Sequence, residues 1–141
     1  MDAKYFKFSV VEAATPTNMV SNGTFDDDTD WSVTGSVSIT GGQAILTLDD
    51  LLIQAGADML TNFQNSTNYR ITFDCVAGGY LNVYDDGQLV DYLDGFQEVV
   101  AGPNSFDFTT PFDIESLGGG LSFKNIAASP LVIDNVVLIL L

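Results

Sequence analysis

The stretch Tyr69-Arg70-Ile71-Thr72-Phe73-Asp74-Cys75-Val76 decides how this sequence is read. Tyr69, Ile71, Phe73 and Cys75 fall on one parity and Arg70, Thr72 and Asp74 on the other. That period of two predicts a strand with one face buried. Eight residues without a helical stripe set the pattern for the rest of the chain. Tyr80-Leu81-Asn82-Val83-Tyr84 follows, then Asp85-Asp86-Gly87, then Gln88-Leu89-Val90-Asp91-Tyr92. An Asp-Gly turn between alternating runs predicts a hairpin. Working outward, short strands are expected at Val33, Val37 to Thr40, Ala44 to Leu48, Leu51 to Gln54, around Phe106 and Phe108, at Leu121 to Phe123, and from Leu131 to Leu138. Ala55 to Phe63 could form a helical turn or two, no more. About ten short strands divided by Gly, Asn and Asp predict an all-β chain, an antiparallel β-sandwich of jelly-roll type.

The N-terminal residues read differently. Lys4 to Val11 alternates, with Phe6, Phe8 and Val10 on one face and Lys7 and Ser9 on the other. Pro16 then interrupts any ladder and holds Thr15 extended. Residues 1–17 are therefore expected to form an extended arm and linker, and residues 18–141 the sandwich domain.

Composition excludes much chemistry. The 141 residues carry four Lys/Arg, 19 Asp/Glu and no histidine, for a net charge of −15. Nucleic acid and anionic membrane surfaces both attract basic patches, so neither is an expected partner. Without histidine there is no Ser-His-Asp triad, no Cys-His pair and no imidazole metal site. One cysteine, Cys75, forms no internal disulfide, and on the apolar face of its strand it reads as a small buried hydrophobe. Leu131 to Leu141 is apolar but contains Asp134 and falls well short of the roughly 20 residues that span a bilayer. The opening Met1 to Phe8 lacks the pattern of a secretory signal. Nineteen acids bring some carboxylates together by chance, but no pair is marked as a glycosidase pair. An enzyme is not expected.

Three motifs carry a resemblance: Asn18-Met19-Val20-Ser21-Asn22-Gly23-Thr24-Phe25 with Asp30-Trp31 close behind, Tyr69-Arg70-Ile71-Thr72-Phe73, and Ile133-Asp134-Asn135-Val136. In order and spacing the chain resembles the carbohydrate-binding-module jelly rolls, which are galactose-binding-like, from Asn18 to about Leu138. Asn68, where many relatives have glycine or lysine, is a departure that leaves the fold expectation intact. Domains similar to these also occur in bacteriophage capsid decoration, tail and fibre proteins, so fold alone does not fix function.

Two sites are candidates. The run Asp26-Asp27-Asp28-Thr29-Asp30 offers hard oxygen ligands, but an EF-hand would need glycine and glutamate where Trp31 and Val37 stand. The resemblance implies instead a structural calcium between Asp26 and Asp134, with Asp134 expected to be buried among Val132, Ile133 and Val136; the alternative is a solvated loop, with Asp134 capping backbone amides. No cofactor is otherwise required. For a glycan, Trp31, Tyr80, Tyr84 and Tyr92, with Asn82 beside the hairpin tyrosines, could form an aromatic platform. The alternative is that the tyrosines cover the sheet and Trp31 is core.

The favoured expectation is a non-enzymatic virion protein, a capsid decoration (cement) protein whose candidate partners are the major capsid protein, another virion protein, and itself in a trimer. Lys4, Phe6, Lys7, Phe8 and Val10 would then form the partner-binding arm, adding a strand to a neighbour; the alternative is that the arm is an ordinary first strand of the sandwich. The alternative is a carbohydrate-binding module, free and extracellular or part of a phage tail or fibre.

Overall fold

The computed structural model describes residues 16–141. Lys4, Phe6, Lys7, Phe8 and Val10, the expected partner-binding arm, lie outside the described residues. Ten strands follow in chain order: β1 (Ser32–Thr34), β2 (Ser38–Thr40), β3 (Gln43–Leu46), β4 (Leu51–Gln54), β5 (Asn68–Cys75), β6 (Gly79–Tyr84), β7 (Gln97–Val99), β8 (Gly102–Thr109), β9 (Leu121–Asn125) and β10 (Leu131–Leu140). They form two antiparallel five-stranded sheets, ordered β1-β4-β9-β6-β7 and β2-β3-β10-β5-β8. The fold is the antiparallel jelly-roll sandwich that the strand periodicity predicts. Helical structure among the described residues is confined to two 3₁₀ turns, Gly56–Asp58 and Ile114–Leu117. The first lies where a turn or two was expected; the second was not anticipated.

Alternation builds the core. Tyr69, Ile71, Phe73 and Cys75 of β5 are buried, and so are Leu81 and Val83 of β6, Leu121 and Phe123 of β9, and Leu131, Ile133, Val136 and Leu138 of β10. Two aromatic groups pin the sheets together. Trp31 lies between Phe25 and Phe123, with centroids 5.2 and 6.5 Å away. Toward the other end, Phe63 meets Tyr69 edge-on at 4.8 Å, and Tyr92 stacks on Phe108 at 4.9 Å. Such pairs contribute about 0.5–1.5 kcal/mol each beyond the area they bury.

The expected hairpin forms only in part. Asp85 accepts from Gly87 N at 3.2 Å and Val90 N at 2.7 Å, and a single bridge joins Tyr84 to Asp91. Gln88 to Tyr92 thus runs back beside the end of β6, with Asp85 N donating to Val90 O at 3.0 Å and Tyr92 N to Val83 O at 2.9 Å, but does not form a strand. β6 pairs with β9 on one side and β7 on the other.

β10 is central. Its register on β5 shifts between Asp134 and Val137, at a bulge where Asn135 has φ 51°. β3 borders the first part of β10 only. Farther along, Val136 N donates to Gly23 O at 2.9 Å and Met19 N to Leu138 O at 2.8 Å. Asn18 reinforces this, with Oδ1 accepting from Leu138 N at 3.0 Å and Nδ2 donating to Val136 O at 3.4 Å. The motif Asn18 to Gly23 thus acts as a docking strip for the second half of β10.

Candidate functional site

The outward face of the β1-β4-β9-β6-β7 sheet brings the hairpin candidates together. Directly opposed residues of paired strands share a face. The pairings Leu51↔Lys124 and Lys124↔Asn82 make one row across that face. Ile53↔Ser122 and Ser122↔Tyr84 make a second on one side of it, and Tyr80↔Glu98 lies in a third on the other side, at the β7 edge. Tyr80, Asn82 and Tyr84 all point outward from β6.

Their environments differ. Tyr80 is 43% exposed and Tyr84 half-buried. Asn82 is buried beneath the 85–95 segment, where its Nδ2 donates to Asp91 Oδ2 at 2.9 Å and its Oδ1 accepts from Val83 N at 2.8 Å. Asp91 also receives Leu93 N at 3.1 Å and Gly95 N at 2.8 Å. This network fixes the loop that carries Phe96. Phe96, 65% exposed, meets Tyr80 edge-on at 6.3 Å. The result is an exposed aromatic corner on the sheet face. A concavity of about 490 Å³ adjoins it, lined by Gly78, Tyr80, Glu98, Val100, Ala127 and Ser129. Lys124, whose Nζ lies 3.6 Å from Asp49, supplies a cation on the same face. The corner offers ring faces for apolar stacking, with a carboxylate, an ammonium and hydroxyls nearby as hydrogen-bonding groups.

Two expected platform members belong elsewhere. Trp31 is buried in the core, and its Nε1 donates to Asn22 O at 2.9 Å. Tyr92 is buried too, and its hydroxyl donates to Gly120 O at 2.9 Å. Burial, helped by the nearby Asp85 and Asp86 charges, drives that hydroxyl's pKa far above the usual phenol value. Neither residue reaches the outward face. Phe96 was missed because it falls between the Asp94-Gly95 turn and a strand of three residues, with no periodicity to draw attention to it.

The acidic candidates are also placed. Asp26 is exposed, and its N–H donates to Asn22 Oδ1 at 3.1 Å. Asp134 is not buried among its apolar neighbours. Alternation turns it outward opposite Asp74, half-buried, and its Oδ1 accepts from Asn135 N at 2.6 Å. Among the described residues no three His, Cys, Asp or Glu side chains gather as a metal site would require.

Comparisons with known proteins bear on the fold. No family model matches the chain, and no curated protein matches it. Solved structures do. A CBM4 module is similar with a TM-score of 0.58 at 19% identity, covering 86% of this chain and 99% of the other. The enzymatically active domain of tailspike protein 4 from bacteriophage CBA120 gives 0.56 at 15% identity, covering 88% of this chain and 21% of that one. A carbohydrate-binding module of Cellvibrio mixtus lichenase 5A, in complex with cellotriose, gives 0.53 at 14%, covering 89% and 98%. At such identities the likeness establishes a jelly roll of the carbohydrate-binding-module type.

Proposed function

We propose that this chain is a non-catalytic carbohydrate-binding module that holds a glycan against the outward face of the β1-β4-β9-β6-β7 sheet. The observation that carries this reading is the exposed Tyr80–Phe96 corner at 6.3 Å, on a fold shared with carbohydrate-binding modules. Aromatic rings left in water on an otherwise acidic surface are what a sugar ring's C–H face can cover. Glu98, Lys124 and the Tyr84 hydroxyl would fix the sugar hydroxyls. The likeness to a tailspike domain favours a phage tail as a second setting for the same role. Decoration of a capsid would instead rest on residues 4–11 as a partner-binding arm.

Affinity electrophoresis through gels cast with neutral polysaccharides tests the reading. Wild type is expected to be slowed in at least one gel. Tyr80→Ala and Phe96→Ala should each abolish the retardation while leaving the melting temperature within about 2 °C, because both rings lie at the surface and outside the core. Retardation that survives both substitutions, or none across a broad panel, would overturn it.

A further inference from the structure

The aromatic corner has a carboxylate built into it. Alternation along β7 buries Val99 and turns Glu98 outward, directly across from Tyr80. Directly opposed residues bring their Cβ atoms to about 4.5–5.5 Å, so ring and carboxylate are immediate neighbours. Both line the concavity of about 490 Å³, whose other walls include the small residues Gly78, Ala127 and Ser129. The exposed Phe96 precedes Glu98 by two residues, and its ring plane stands at 83° to that of Tyr80.

Side-chain amides hold the backbone on both sides of Glu98. Gln97 Nε2 donates to Leu93 O at 3.1 Å and to Gly95 O at 3.4 Å. Asn104 Oδ1 accepts from Val100 N at 2.9 Å, and its Nδ2 donates to Val100 O at 2.9 Å. A three-residue strand is thereby fixed in place, and a fixed site loses less entropy on binding. The electrostatics are one-sided. Among the described residues the cations are Arg70, paired with Asp107 at 2.6 Å, and Lys124, paired with Asp49 at 3.6 Å. Lys124 stands across from Asn82, but its Nζ is engaged by Asp49, just before β4, and not by the β7 edge. A chain of net charge −15 repels polyanionic sugars and enriches cations at its surface.

We propose that this corner selects an amino sugar whose C2 nitrogen is a free, protonated amine. The sugar ring stacks on Tyr80, and the ammonium donates to Glu98 while it lies close to the aromatic electrons. A C2 hydroxyl gives Glu98 only an uncharged donor, an acetamide a bulkier uncharged one, and a uronate a like charge. The preference therefore runs from amine to hydroxyl or acetamide, with uronates rejected. This selectivity rests on the glycan reading of the same face and narrows it to one charge class of sugar.

Isothermal titration calorimetry on the full chain tests this with the β-1,4-linked hexamers of glucose, N-acetylglucosamine and glucosamine, which differ only at C2. Mildly acidic buffer of low ionic strength keeps the glucosamine amines protonated and the charges unscreened. The wild type should bind the glucosamine hexamer about tenfold or more tightly than the other two. Tyr80→Ala should weaken all three. Glu98→Gln should bring the glucosamine affinity to within about threefold of the glucose hexamer's and leave both neutral affinities unchanged. Asp58→Asn removes the same charge from an exposed position beyond the Gln54↔Leu121 end of the sheet, and should leave the preference intact. Tyr80-dependent binding of the neutral hexamers with no preference for glucosamine would overturn the selectivity and leave the glycan reading standing. A preference that survives Glu98→Gln, or that falls equally in Asp58→Asn, would overturn it by assigning the attraction to net charge. Binding of none of the hexamers would overturn it too, with the neutral-polysaccharide gels deciding the glycan reading separately.

Discussion

Gln54 and Ser21 are joined twice: Ser21 N donates to Gln54 Oε1 at 3.0 Å, and Gln54 Nε2 donates to Ser21 O at 2.8 Å. A side-chain amide here stands in for a strand's backbone. Gln54 is wholly buried at the end of β4, so it satisfies the irregular entry segment without a ladder. Gln54→Leu should cost about 1–3 kcal/mol for each Ser21 group left unpaired, read as a lower urea midpoint. A loss below ~1 kcal/mol in total would mean that water takes over both bonds.

Gly23 is required by contact, not by its backbone angle. A Cβ there would lie 2.1 Å from Val136 O, the atom that Asn18 also holds. Gly41 has φ 60° and nothing within 4 Å of a Cβ. Gly23→Ala should destabilise by about 1–3 kcal/mol or more through overpacking. Gly41→Asn should cost under ~1 kcal/mol, because asparagine tolerates the left-handed region. Thermal unfolding of the two variants gives the order, and equal losses would contradict it.

Asp50 should make stability fall in acid. Burial pushes its carboxyl pKa up, but Ser36 N at 2.9 Å, Thr47 N at 2.7 Å and Thr47 Oγ1 at 2.8 Å outweigh that and hold it below the ordinary value. A pKa lowered by folding adds stability above the unfolded value, about 3.9, and loses it as pH drops through the folded one. The urea midpoint should therefore decline below about pH 4, and Asp50→Asn should flatten part of that decline. An unchanged pH profile in the variant would assign it to other carboxylates.

Cys75 should be inert while the protein is folded. Burial, with the Asp74 charge next to it, pushes the thiol up to about 11. The thiolate is the reactive form, so a thiol reagent at pH 8 should label the native protein at the rate of its opening and the urea-unfolded chain rapidly. Similar rates in the two states would place the sulfur at the surface.

Where the backbone is regular, parity located the side chains. Tyr69, Ile71, Phe73 and Cys75 are inward, and Tyr80, Asn82 and Tyr84 outward, because β5 and β6 are true strands. Tyr92 defeats the same argument. Gln88 to Tyr92 follows a turn with Gln88 at φ 56°, so counting by twos no longer tracks direction. Asp134 is the reverse case: alternation holds at its position and turns it outward, and the expectation of burial weighed its apolar neighbours above its parity. Trp31 turns inward through loop geometry, which periodicity does not encode. Phe96 owes its place to the Asp91 network, a set of contacts distant from it in pattern though near in sequence.

The position of β10 has a consequence for biosynthesis. It lies in the middle of its sheet, between β3 and β5, yet is the last strand to be made. On the ribosome, β3 and β5 must wait with their facing edges unfilled until residues 131–140 emerge, and the Asn18 to Gly23 strip waits with them. Most pairings in that sheet thus close over long sequence separations, which slows folding and lengthens the time that apolar strands stand exposed. The nascent chain's dense negative charge is then the means by which it avoids its neighbours on a polysome until the final strand slots in.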